Sequence, residues 1–167
     1  MVTAAAGGAA PRVREVVAPV VDAAGLHLED VTVSAAGRRS VVRVVVDLTE
    51  DAVGSLDLDA LGEVSREVSA VLDARDPVRG AYVLEVSTPG TDRPLTEPRH
   101  FRRARTRLVR LVMVDGSDLL GRLVDASAEA VELELSDGRV TRVPMVGVRR
   151  GHVEVELTRV GDEEEQA

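Results

Sequence analysis

Cysteine is absent from this 167-residue chain, and so is lysine: all 21 basic side chains are arginine. Without a thiol there is no disulfide, no thiolate metal site, no cysteine nucleophile and no CxxC redox pair, which suits a reducing cytosol. Without a side-chain amine there is no P-loop lysine, no Schiff base and no kinase-type lysine on a strand. Aromatic rings are nearly missing too. Tyr82 and Phe101 are the only two, with no tryptophan, so base stacking on a row of rings has little to work with. Apolar runs are strand-sized, far short of a membrane span. Met1–Pro11 is rich in Ala and Gly but lacks the basic flank and apolar block of a signal peptide, and it reads as a disordered lead. His27, His100 and His152 fall in different elements with no ligand-type spacing, so neither a metal nor a cofactor is expected. Asp57 and Asp59 flank a helix start, where acids serve the helix dipole. The chain reads as a binding protein, not an enzyme.

What is present is an uneven charge. Residues 1–92 carry 15 acidic and 8 basic side chains, a net of −7, whereas residues 93–160 carry 10 and 13, a net of +3. An acidic half repels nucleic-acid phosphate and attracts basic partners; an arginine-rich half does the reverse.

Hydrophobic periodicity supplies the elements. Val13, Val16, Val17, Val20, Val21 and Ala24 form one helical stripe that Gly25 should stop, with a bend or late start expected at Pro19. Leu26–Val33 and Val41–Leu48 read as a hairpin. Asp57 can cap a second helix with Leu61, Val64, Val68, Val71 and Leu72 on its apolar face, and Asp76-Pro77 ends it. Gly62 inside that helix suggests close packing on the sheet. Ala81–Ser87 is a third strand, with Tyr82, Leu84 and Val86 on one face. Five further short strands, Leu108–Val114, Leu119–Ala126, Ala130–Leu135, Arg139–Pro144 and His152–Leu157, are separated by turn sequences and predict a small closed barrel, with Gly121 at a tight bend.

Between the two halves, Ser87, Pro89, Gly90, Asp92, Arg93, Pro94 and Leu95 concentrate φ-restricting, φ-permitting and amide-binding residues, which predicts a sharply turned, ordered joint. The expected organisation is therefore α+β: residues 1–11 a disordered lead, 12–87 a two-layer α-β-β-α-β domain, 88–98 the joint, 99–160 an Sm-like or SH3-like barrel, and 161–167 an acidic disordered tail.

This order resembles the bacterial ribosome maturation factor family RimP from about Arg12 to Leu157. The resemblance is carried by Ala18-Pro19-Val20 leading to Gly25-Leu26, by Glu63 to Asp73, by Leu84-Glu85-Val86-Ser87, and above all by Pro89-Gly90 with Asp92-Arg93-Pro94-Leu95. The family more often has Ser at position 88 and a large apolar residue at 91, where this chain has Thr, and often an aromatic at Ala104. The resemblance implies a cytoplasmic, non-enzymatic, monomeric assembly factor. It would bind the free small ribosomal subunit and help the basic ribosomal protein of the decoding centre join the small-subunit rRNA.

Two sets of residues are candidates for those contacts. Arg93, Arg99, Arg102, Arg103, Arg105, Arg107 and Arg110 place seven cations in eighteen residues against one acid, Glu97. Of these, Arg99 to Arg110 are the candidates for rRNA phosphate, which would be held without reading sequence. Glu29, Asp30, Asp47, Glu50 and Asp51, near the hairpin and the loop after it, are candidates for the basic protein, with an exposed sheet edge able to accept a strand. Phe101 and His100 suit a packing role. A free-standing Sm-like RNA-binding regulator is the alternative.

Overall fold

A computed structural model describes residues 4–156, with side chains from Gly8 onward. The chain divides between Gly90 and Thr91 into two compact units, a boundary inside the stretch expected to be the joint. The expected acidic tail lies outside the described residues.

In the first unit, helix α1 (Ala4–Ala23) precedes the hairpin β1 (His27–Ala36) and β2 (Arg39–Asp47), then helix α2 (Leu58–Arg75) and strand β3 (Tyr82–Ser87). The α-β-β-α-β order is the one read from periodicity. Val13, Val17 and Val21 lie one turn apart on α1 and are fully buried, each contributing about 1.5–3 kcal/mol of apolar burial. Helix α1 starts at Ala4, so residues 4–11, expected to be a disordered lead, form its first turns, and Pro19 marks no late start. Both Pro11 and Pro19 are exposed, on the side where a carbonyl deprived of its N–H partner can meet water. The helix ends as Gly25 predicted. With φ at 74°, Gly25 reverses the chain so that Leu26 N donates to Val21 O at 3.1 Å and Gly25 N to Asp22 O at 3.0 Å.

The sheet order is β1-β2-β3. β2 is antiparallel to β1 and parallel to β3, the parallel step being made by the α2 crossover. Alternate residues Val42, Val44 and Val46 of β2 are fully buried against the helices. Tyr82, Leu84 and Val86 pack on the same core. The opposite face is helix-free in its exposure pattern: Arg43 stands beside Glu85, its Nε donating to Oε2 at 2.7 Å, among Thr32, Ser34 and Val83.

Helix α2 begins where Asp57 accepts a hydrogen bond from Ala60 N at 2.7 Å and ends at Asp76, φ 47°, whose N–H bonds Leu72 O. Its buried residues are Val64, Val68 and Leu72. Gly62 does not mark close packing: a Cβ there would meet only the flexible tip of Arg66, at 3.6 Å. With no steric reason for glycine, Gly62→Ala is expected to stabilise the chain by about 0.5–1 kcal/mol. Chemical denaturation of the full chain checks this, and a loss of stability would show that the site needs glycine.

The second unit opens with helix α3 (Pro98–Arg103), which the sequence reading missed. Strands β4 (Leu108–Met113), β5 (Asp118–Ala126), β6 (Ala130–Glu134), β7 (Val140–Pro144) and β8 (Val148–Val153) follow, with a one-turn 3-10 segment, Met145–Gly147, before β8. The number of strands matches expectation; the closed barrel does not form. The order is β7-β6-β5-β4-β8, wholly antiparallel, and no ladder joins β7 to β8 among the described residues. Turn spacing fixes how many strands there are, whereas closure needs a ladder between the outermost pair. Here β7 ends on Pro144, which has no N–H to give, and the 3-10 turn leads instead to a strand that pairs with β4.

The core of this unit comprises Leu95, Phe101, Ala104, Val109, Leu111, Leu123, Ala126, Val131, Leu133 and Val143. Leu95, expected in the joint, belongs to it: Leu95 N donates to Gly151 O and Gly151 N to Leu95 O, both at 2.8 Å. Gly121 serves close approach and not a barrel corner, since a Cβ there would lie 2.9 Å from Leu133 Cβ and 3.0 Å from Glu134 O.

Candidate nucleic-acid interface

Helix α3 is short, and its place is fixed from both ends of its sequence. Glu97 is the N-cap, Pro98 sits in the first turn, and the side chains of Glu97 and His100 complete a reciprocal capping box. His100 Nδ1 accepts from Thr96 N at 3.2 Å and from Glu97 N at 3.3 Å, which leaves Nε2 as the protonated nitrogen, 3.4 Å from Glu97 Oε2. Phe101 points inward and is 0% exposed. Phe101 therefore does the packing expected of it, whereas His100 caps the helix, a role the sequence did not announce, and neither aromatic ring is left for base stacking: Tyr82 packs on the core of the first unit and donates its hydroxyl to Asp73 at 2.9 Å. Burial, then the Asp73 bond, raises the Tyr82 pKa above the ordinary phenol value.

With Phe101 inward, the arginine run divides into three groups. Arg99, Arg102 and Arg103 ride on α3, half-buried. Arg99 lies 3.9 Å from Glu97, and Arg102 Nε lies 3.7 Å from Asp125 on β5. Arg105 and Arg107 flank Thr106 in the turn to β4, where Arg105 Nε donates to Arg102 O at 2.9 Å. Thr106 has φ 75°, a left-handed conformation that a β-branched residue adopts only under constraint. The constraint is visible: Thr106 N donates to Leu123 O at 2.9 Å, and Arg122 Nη1 to Thr106 O at 2.8 Å. Arg110, on β4, is already partnered. Its Nε donates to Glu154 Oε1 at 2.8 Å and its Nη1 lies 3.6 Å from Asp118. The Glu154 hydrogen bond, before any other cause, holds the Arg110 pKa above its ordinary value.

The register brings further cations to the Arg110 side of the sheet. Arg110 faces His152 and Leu120, Val112 faces Arg150 and Asp118, and Leu108 faces Arg122; residues directly opposite share a face. Arg122 is engaged by Glu156, whose carboxyl is held below its ordinary pKa chiefly by that hydrogen bond. Arg107, Arg149 and Arg150 are exposed and make no ion pair with any described residue. Arg149 and Arg150 were outside the sequence run, although the adjacent pair is plain in Val148-Arg149-Arg150-Gly151. Counted over residues 91–156, the second unit has 12 basic and 11 acidic side chains, so it is close to neutral; local arrangement decides where positive potential remains.

The candidate acids of the first unit are also dispersed. The β1 register shifts between Leu28 and Asp30, making Glu29 the extra residue of a bulge. Asp30 uses Oδ1 to accept from Val31 N at 2.9 Å and lies 3.8 Å from Arg14. Asp47 is 7% exposed and accepts from Leu48 N at 2.8 Å, so it anchors the end of β2 and offers no surface carboxylate. Glu50 is half-buried and Asp51 exposed, in the loop before α2. Among the described residues no cluster could hold a metal ion, and no helix is long and apolar enough to cross a membrane.

Comparison with known proteins fixes the relationship. The family model described as RimP N-terminal domain matches residues 16–92. A ribosome maturation factor RimP of Kineococcus radiotolerans is 47% identical over 156 residues, covering 85% of this chain and 75% of that protein. One from Parafrankia sp. is 41% identical over 92% of this chain and 59% of its own length, and one from Frankia casuarinae 44% over 91% and 61%. The matched region takes in both units and the Pro89–Leu95 motif, and at this identity over three quarters of a relative the chain belongs to the RimP family.

Proposed function

We propose that this chain is a ribosome maturation factor that binds the free small ribosomal subunit and helps the basic ribosomal protein of the decoding centre join the small-subunit rRNA. The observation that carries this reading is the 47% identity to a protein named ribosome maturation factor RimP. The chemistry of the two units supports it. The first, Met1–Gly90, has 14 acidic and 8 basic side chains, a surface that attracts a basic protein, and its β1 edge has backbone groups open to strand addition. The second offers Arg107, Arg149 and Arg150 as exposed guanidinium groups, with Arg99 and Arg103 on α3 beside Arg107 in sequence. These suit phosphate, which Arg meets with a planar fork.

A free-standing single-strand regulator is disfavoured because both aromatic rings are committed to packing. Co-sedimentation with free small subunits against intact ribosomes tests the reading, with enrichment on the free subunit expected. Arg107→Glu with Arg149→Glu and Arg150→Glu should weaken that association and shrink its dependence on salt by about one logarithmic unit of slope for each phosphate no longer neutralised. Unchanged affinity with an unchanged slope would remove the phosphate role; tight binding of naked strands without subunits would transfer it to the alternative.

A further inference from the structure

We infer that Arg12, Arg75 and Arg79 form an anion subsite for a backbone phosphodiester of RNA on the otherwise acidic N-terminal unit. The three line one open groove of about 450 Å³ together with Glu15, Val16, Asp76 and Pro77. They come from separate elements: Arg12 from α1, Arg75 from the last turn of α2, and Arg79 from the loop before β3. Helices α1 and α2 pack on each other, which brings the first two together.

The third is fixed by its neighbours. Asp76, at φ 47°, turns the chain out of α2, and Val78 is 3% exposed, plugged into the core. Arg79 follows a buried anchor directly, so its backbone is held and the ordering cost of a loop is already met.

None of the three guanidinium groups makes a salt bridge with a described residue, although Glu15 and Asp76 line the same groove. Their charge is therefore not consumed within the fold, in contrast to Arg110 and Arg122 of the second unit. Arg75 also complements the negative end of the α2 dipole. That interaction explains one arginine at this place; the other two lie outside α2.

The charge of the groove selects the ligand. Three cations against two carboxylates leave one net positive charge, matching the single charge of a phosphodiester. A multiply charged monoester would be repelled by the surrounding unit, whose side chains sum to −6. The fork geometry of Arg suits the two free oxygens of a phosphodiester. The choice of RNA as the source rests on the proposed function; the anion subsite itself does not.

The test titrates the full chain with dimethyl phosphate and, separately, with a short single-stranded RNA, following the arginine side-chain and nearby backbone NMR signals. Saturable shifts at Arg12, Arg75 and Arg79 with RNA are expected. At Arg75 and the neighbouring backbone they should vanish in Arg12→Ala with Arg79→Ala, which keeps the Arg75 dipole interaction, and the salt slope of RNA binding should fall by about 0.7, the value for one single-strand phosphate. The Arg107, Arg149 and Arg150 reversal should leave the dimethyl phosphate shifts in place. Shifts with dimethyl phosphate alone would keep the subsite and overturn RNA as its source. Silence with both probes, or the same shifts in the double variant, would overturn the subsite, whatever co-sedimentation with subunits shows.

Discussion

Replacing Phe101 by alanine is expected to destabilise the second unit by about 3–5 kcal/mol, the range for emptying a fully buried aromatic site. Phe101 is the largest fully buried side chain described, and it is the inward face of a helix of only six residues. A helix so short has no stability of its own, so its ring holds Arg99, Arg102 and Arg103 in place. The substitution should therefore act on function as well as stability. Amide exchange across α3 should rise well before the strands of the first unit lose protection, and the proposed small-subunit association should weaken even at temperatures where the chain stays folded. Phe101→Leu, which keeps most of the apolar volume, should cost less. If alanine left α3 protection unchanged, the anchoring role would be wrong.

Gly151→Ala is the second large effect, expected to cost about 2–3 kcal/mol, toward the upper end for forcing atoms into a packed core. An added Cβ would lie 2.6 Å from Phe101 Cε1, 3.1 Å from Cζ and 3.3 Å from Val109 Cγ1. Neither side can give way readily. Strand β8 is fixed at this residue by its pairing with Leu111 and by two hydrogen bonds to Leu95, and the ring is wholly enclosed. Because the two sites touch, their effects should not add. The alanine at 151 should cost markedly less when Phe101 is leucine than when it is phenylalanine, as read from denaturation midpoints of the single and double variants. Strict additivity would mean the clash is relieved elsewhere. The same geometry gives the joint motif a structural meaning: Leu95, its last residue, is bonded to the glycine that makes room for the ring.

Much of the first unit could be read in advance because its signals are local. The valine stripe of α1, the Asp57 cap, the Gly25 stop and the alternation in β2 each depend on residues within a turn or two of one another. Where local signals are weak, the sequence does not announce the element. An Ala- and Gly-rich start has no apolar stripe to announce a helix, yet it continues α1. Helix α3 is shorter than any periodicity window, and only Glu97-Pro98 marked it. A glycine inside a helix suggests close packing, yet no neighbouring atom requires one at Gly62.

The candidate surfaces were legible as composition and not as arrangement. Seven arginines in one stretch were obvious. Arg110, however, is neutralised by Glu154, 44 residues away in sequence, and Asp47 spends its carboxylate on the next backbone amide inside the fold. Arg149 and Arg150 were too far along the chain to join the run, and Arg12, Arg75 and Arg79 are scattered until α1 and α2 pack.

The sequence alone therefore determined the exclusion of thiol and amine chemistry, the two-part organisation, the family, and the type and order of most elements, because each rests on composition or on contacts near in the chain. Tertiary structure decided that the second sheet stays open, that Phe101 is an anchor, and which charges are consumed and which face solvent. Those outcomes depend on pairings between distant residues, and whether a charge stays available is set by whichever partner the fold brings within reach.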